Sequence, residues 1–386
     1  MKQTWNTIVD DAIDFRRHLH RHPELTWQEE QTAVKVRQRL DQLNIAWLPC
    51  ATHGAVATLA PQANGKHVAL RADMDALPIH ELTELPYQSQ VAGCMHACGH
   101  DGHTAALWAA AAWLKQHEDK LPGPVTLLFQ PAEEGGHGAQ RMIEDGALKG
   151  VDEIYGWHNW PMIPYGQAVC PDGAVMSGNG TFHIEIVGKG GHASQPEVCR
   201  DPVIAAAAIT LNLQQIISRR LPPQSDVVVS VSSINADAFP TVTPETAKVE
   251  GSIRLAQPEL RPVITELISQ IAQDTARTYG VEAKVLNQPR YEATINHPSA
   301  AQNYRSALAE EFGNDWQMSS LPIPIMASED FSYYLNEVPG AFALIGMSKH
   351  GDFSHACHSP HYQFNDELLA PVVRLYSRLA GAPVPP

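Results

Sequence analysis

The densest polar cluster of the chain is Gly93-Cys94-Met95-His96-Ala97-Cys98-Gly99-His100-Asp101-Gly102-His103. Cys98 and His100 are one residue apart and can turn toward one ion where the glycines let the backbone curl. A thiolate with an imidazole suits Zn²⁺ or a similar transition metal. Other candidate ligands follow β-rich runs: Glu133 and Glu134 after Val125 to Phe129, and Asp73-Met74-Asp75 after His67 to Arg71. His158 follows Glu153 to Trp157, and His355, His358 and His361 lie beyond Phe342 to Ile345. Ligands of an open parallel sheet bind outside the carboxyl ends of its strands. Any one of these segments reads as a solvated loop end; all four together read as a metal site.

Adjacent glutamates in an extended segment point to opposite sides, so one is expected to hold metal while the other stays free. A free carboxylate beside a metal-bound water takes its proton and delivers it to a leaving amine. Such water ionises near neutral pH, so no activated serine or cysteine is required. Cys98 as a nucleophile is the competing reading; the surrounding acids and histidines suit a metal better.

These residues need a scaffold. The 386 residues, 44% hydrophobic, are enough for more than one core, and the formal charge of −15 argues against nucleic acid or an anionic membrane as partner. The opening Met1-Lys2-Gln3-Thr4-Trp5 and the acids that follow lack the apolar core of a signal peptide, and the apolar run Ala105 to Leu114 is too short for a bilayer span. Six sparse cysteines fit a reducing cytoplasm, where thiols remain available as ligands.

Apolar Ile8, Val9, Ala12, Ile13 and Phe15 predict a helix stopped by Pro23. Thr26 with Glu29 predicts a capping box opening a second helix to Asn44, and Gly102 to His117 predicts a long third. Short strands beginning with Ala55 to Leu59 alternate with helices, which implies an α/β fold with a mostly parallel, helix-covered sheet. Between Gly178 and Tyr291 the order becomes strand, helix, strand, strand, helix, strand, the α+β pattern of a ferredoxin-like domain. The expected division is residues 1–177 and 292–386 for the main domain, with 178–291 inserted.

Arg71-Ala-Asp-Met-Asp-Ala-Leu-Pro78, Met95-His-Ala-Cys-Gly-His-Asp-Gly-His103, Gln130-Pro-Ala-Glu-Glu-Gly135, Gly188-Lys-Gly-Gly-His-Ala-Ser194 and Cys357-His-Ser-Pro360 resemble, in order, the dinuclear metallopeptidase family of aminoacylases and carboxypeptidases. The amidohydrolase branch with hippurate hydrolases and plant indoleacetyl amino acid hydrolases is the most similar. The resemblance implies a zinc-peptidase-like catalytic domain with a lid that forms a homodimer. It implies two divalent ions per subunit, Zn or Mn with Co or Ni as further options, held by Cys98, His100, Glu134, His158 and His358. Glu133 would be the general base, Asp75 would orient a ligand, and His192 of the lid would stabilise the oxyanion in the partner's site.

Two departures from the family pattern bear on function. Asp73-Met74-Asp75 stands where relatives carry His-x-Asp, so His100 is expected to supply the missing ligand. Thr241 stands where relatives tend to have an asparagine that binds the substrate carboxylate, which leaves Arg254 as a candidate carboxylate partner. The expected reaction is hydrolysis of small N-acyl amino acids. A dipeptidase or carboxypeptidase is the alternative, and a non-catalytic metal-dependent binder is the reading outside enzymes.

Overall fold

In the computed structural model, which describes residues 3–349 and 351–386, the chain divides into two compact units. One runs through Val175 and includes Ile295–Pro322 and Asp330–Pro386; the other is Met176–Thr294 with Ile323–Glu329. Met1 and Lys2, part of the segment considered for targeting, lie outside the described residues. No helix among the described residues is long and apolar enough to cross a membrane.

The first unit is built on a seven-stranded sheet in the order Trp47–Cys50, Gly54–Leu59, Val125–Gln130, Val68–Asp73, Glu153–Pro164, Gly340–Ser348, Ala168–Val169. The four central strands are parallel. Val68–Asp73 and Val125–Gln130 are buried along their whole length, as strands covered on both faces require. Gly54–Leu59, expected among the parallel strands, instead runs antiparallel to both neighbours. The three residues between Cys50 and Gly54 permit only a hairpin, since a parallel pairing needs a longer crossover.

Helix His100–Gln116 is buried over most of its length, so alanine dominates where helix and sheet must approach closely. It starts two residues before the expected Gly102, and this places His100 and His103 in its first turn. Helix Trp5–Arg21 buries Ile8, Ala12, Phe15 and Leu19 and ends before Pro23 as predicted. The capping box at Thr26 does not form. The second helix is Glu30–Gln42, and the Glu24 carboxylate accepts from the amides of Gln31 and Thr32 instead. A carboxylate at a helix N-terminus complements the dipole as well as the open N–H groups.

The second unit has a four-stranded antiparallel sheet in the order Val227–Asn235, Thr246–Leu255, Gly178–Val187, Glu282–Pro289. Helices Pro202–Leu213 and Leu260–Thr278 supply its own core with Ile209, Leu213, Ile264 and Ile268. Asp201 caps the first by accepting from the Val203 amide, with Pro202 at the first helical position. That helix ends at Leu213, short of the expected Arg219, and a π-helical turn Ile216–Arg220 follows.

Candidate active site

Beyond Tyr155, strand Glu153–Pro164 has no pairing with Val68–Asp73 and continues beside Gly340–Ser348. The sequence placed a strand end at His158. Instead the strand runs on to Pro164, and His158 lies beyond the last residue paired with Val68–Asp73. Asp73, Gln130 and His158 therefore face a common rim. The approach of Gly99 to this strand demands a glycine, with φ +94° and a position at which a Cβ would lie 2.2 Å from Asn159 Oδ1.

Cys98, His100 and His158 bring one donor atom each within 4.8 Å of one another, and so do Cys98, Glu134 and His358. Cys98 belongs to both sets. His158 Nδ1 lies 2.7 Å from the Asn159 carbonyl, to which it donates, so Nε2 is the nitrogen 3.3 Å from Cys98 Sγ. His100 Nδ1 is 3.2 Å from Asp75 Oδ1, and its Nε2 is buried without a hydrogen-bond partner. Glu134 Oε1 is 3.2 Å from His358 Nε2 but not aligned for a hydrogen bond. His358 has left-handed backbone, φ +69°, and its amide donates to the Ala97 carbonyl. Open donor atoms of thiol, imidazole and carboxylate, buried in the first set and partly exposed at Glu134 and His358 in the second, fit divalent cations, with Asp75 and the Asn159 carbonyl already fixing the rings of His100 and His158.

Glu133 and Glu134 do not diverge as an extended segment would require. Carboxylate oxygens of both fall within 4.8 Å of one His100 nitrogen. Ala132 at φ +58° and the Gly135 amide bonded to the Glu133 carbonyl turn the chain here. Asp75 fixes the turn by accepting from the amides of Glu133 and Glu134 at 3.0 and 2.9 Å.

The charges follow from burial and neighbours. Burial would lower the His100 imidazole, but Asp73 and Asp75 outweigh it and hold it up at about 10. His158 is pushed well down, first by burial and then by the neighbouring His103, and stays neutral and ligand-ready. Cys98 is raised well above the usual thiol range by its hydrogen bond with Cys357 and by burial. A thiol so raised is a poor unaided nucleophile, which counts against the nucleophilic reading; a cation would ionise it.

Several contributors carried no sequence signal of their role. Thr26 Oγ1 donates to Asp75 Oδ2 at 2.8 Å. His103 bridges Asp73 Oδ1 at 2.6 Å and Asn159 Oδ1 at 2.8 Å. Buried Arg71 and Asp330 form an ion pair of 2.9 Å beneath the rim. His355 and His361 stay outside the donor clusters, and His361 Nδ1 bonds the Leu82 carbonyl. His192 and Arg254 belong to the other unit. His192 is exposed with Nδ1 2.7 Å from Ser194 Oγ, and half-buried Arg254 donates to Ser328 Oγ at 3.1 Å.

Residues 69–382 match the model of peptidase family M20/M25/M40. The chain is 36% identical over 376 residues to IAA-amino acid hydrolase ILR1-like 2 of Arabidopsis thaliana, covering 97% of this chain and 85% of that one. It is 38% identical over 366 residues to the N-acetyl-L-cysteine deacetylase of Bacillus subtilis (strain 168), covering 94% and 86%. Among solved structures, the YXEP protein of Bacillus subtilis, described as a dinuclear metal-binding peptidase from the M20 family, superposes with a TM-score of 0.85 at 33% identity over 97% of this chain and 98% of that one.

Proposed function

This chain belongs to peptidase family M20/M25/M40 and, like the relatives it matches along most of its length, is a hydrolase of amide bonds in N-acyl amino acids, and we propose that its site holds two divalent cations on Cys98, His100, Glu134, His158 and His358, with Glu133 as general base. The observation carrying this reading is the pair of donor sets that share Cys98 beside a second glutamate. Cys98 is the residue common to the two sets and would help hold a cation in either. Thiolate and imidazole favour Zn²⁺, Co²⁺ or Ni²⁺, with Mn²⁺ the alternative. Bound cations would polarise the acyl carbonyl and make water more acidic.

The residues divide the remaining work. Glu133 takes a proton from the attacking water and returns it to the departing nitrogen as the C–N bond breaks, leaving a carboxylate and a free amino acid. Asp75 orients His100 through Nδ1. His192, whose Nδ1 is engaged by Ser194, would offer its other nitrogen to the oxyanion in a partner subunit, and Arg254 would meet the substrate carboxylate.

A homodimer through the second unit is supported by the exposed apolar stripe Val203, Ile204 and Leu211 on helix Pro202–Leu213 and by Val227–Asn235, which is an edge strand of the unit's own sheet. The free state of all six cysteines suits a reducing compartment.

The test is metal analysis of protein purified without added ions, followed by turnover of acetyl, benzoyl and indoleacetyl amino acids beside dipeptides. About two equivalents of cation and cleavage of acylated substrates are expected. Cleavage that requires a free α-amino group would make the enzyme a dipeptidase, and binding without product would make it a metal-dependent binder.

A further inference from the structure

Below the rim, Asp330 carries a fully buried carboxylate that no step of the reaction uses. Arg71 Nη2 donates to its Oδ1 at 2.9 Å, the Gln130 amide donates to both oxygens at 2.8 Å, and the Ala139 amide donates to Oδ2 at 2.9 Å. The backbone N–H of the same residue donates to Glu133 Oε1 at 3.3 Å, and a carboxylate oxygen of Asp330 lies within 4.8 Å of one of Glu133. A side chain clamped by donors on two neighbouring strands and on helix Gly138–Glu144 fixes where that N–H lies.

We propose that Asp330 is a positioning residue for the general base: its side chain anchors the backbone N–H that holds the Glu133 carboxylate at the reacting position. The inference rests on the reading of Glu133 as the base. Such a carboxylate must be free to exchange a proton yet aimed to within a fraction of an ångström, because misplacement by about 1 Å can cost about 10²-fold in rate. Replacing the anchor by an amide would oppose Asn Nδ2 to the Gln130 amide or the Ala139 N–H, and the segment would shift to relieve that clash of donors. Glu133 accepts directly from the Asp330 N–H, whereas His100 is reached through Arg71 and Asp73.

The experiment is a double-mutant cycle of Asp330→Asn with Glu133→Gln, measured as kcat and KM on the best acylated substrate, with bound cation and thermal midpoint recorded for each protein. Asp330→Asn alone should lower kcat about 10- to 100-fold, with KM changed less than about threefold and cation content unchanged. In the Glu133→Gln background the same substitution should change the residual kcat less than about twofold, since nothing remains to be positioned.

Full loss repeated in that background, loss of cation, or unchanged kcat on Asp330→Asn would each overturn the proposal. Near-normal turnover of Glu133→Gln alone would instead remove the base assignment itself, so the two failures are distinguishable. Should Asp330→Asn not fold, Gln130→Met, which removes one clamping donor, carries the same cycle with a smaller expected loss.

Discussion

Thr26 and Asp75, 49 positions apart, are joined by a hydrogen bond of 2.8 Å from Oγ1 to Oδ2. Through that bond a hydroxyl that local pattern assigns to a helix cap serves the turn at Glu133 and Glu134 instead. Asp75 already accepts from His100 and from two backbone amides, so Thr26 completes the environment of a fully buried charge. Thr26→Val should cost about 1 to 2 kcal/mol in denaturant unfolding and Thr26→Ser should recover most of it; equal stabilities for Val and Thr would assign the bond no weight.

Glu133→Gln keeps the shape of the proposed base and removes its proton chemistry. Turnover should fall by about 10² to 10⁴ while bound cation and the unfolding transition stay as in wild type.

Asp75→Asn replaces the group that fixes the His100 ring by one that cannot accept at both oxygens. Cation affinity, measured by competition with a chelator, should fall about 10- to 100-fold. Affinity equal to wild type would mean that His100 needs no partner to present Nε2.

Glu29 gives a pH prediction. Its carboxyl is buried against Ala132 and faces the charge of Asp75, and burial first, then Asp75, raise it from 4.5 to about 8. Between those values the folded protein holds a proton that the unfolded chain has released. Stability is therefore fully present below about pH 4.5 and declines toward pH 8, with a slope of up to about 1.4 kcal/mol per unit from this group. In protein stripped of cations, Glu29→Gln should flatten that part of the stability profile and be the more stable form near pH 8. A profile parallel to wild type would show that Glu29 ionises normally.

A site shared between subunits predicts complementation. Mixing His192→Ala with Glu133→Ala protein should restore part of the activity that each lacks alone, because one site of the mixed dimer then has both groups intact. Absence of rescue in mixed dimers confirmed by mass spectrometry would put the whole reaction within one chain.

Much of this was legible in the chain. The alternation of buried strands with helices and the strand-helix-strand order after Gly178 are period signals, and they read correctly because burial imposes them along consecutive residues. The failures are contacts that local pattern cannot carry. Thr26 looks like a cap and Glu133-Glu134 looks extended until Asp75, just past the end of strand Val68–Asp73, accepts from both glutamate amides and the threonine hydroxyl. His158 looks like a strand end because the sequence does not show that Gly340–Ser348 keeps pairing beyond it.

The sequence by itself determined which donors exist, because thiol, imidazole and carboxylate chemistry resides in residue type and survives any fold. Only the tertiary structure decided which atom of each donor is open. The nitrogen that His100 or His158 offers depends on a hydrogen bond at the other nitrogen, and for His100 that bond comes from a residue on a different segment, brought there by the packing of the whole sheet.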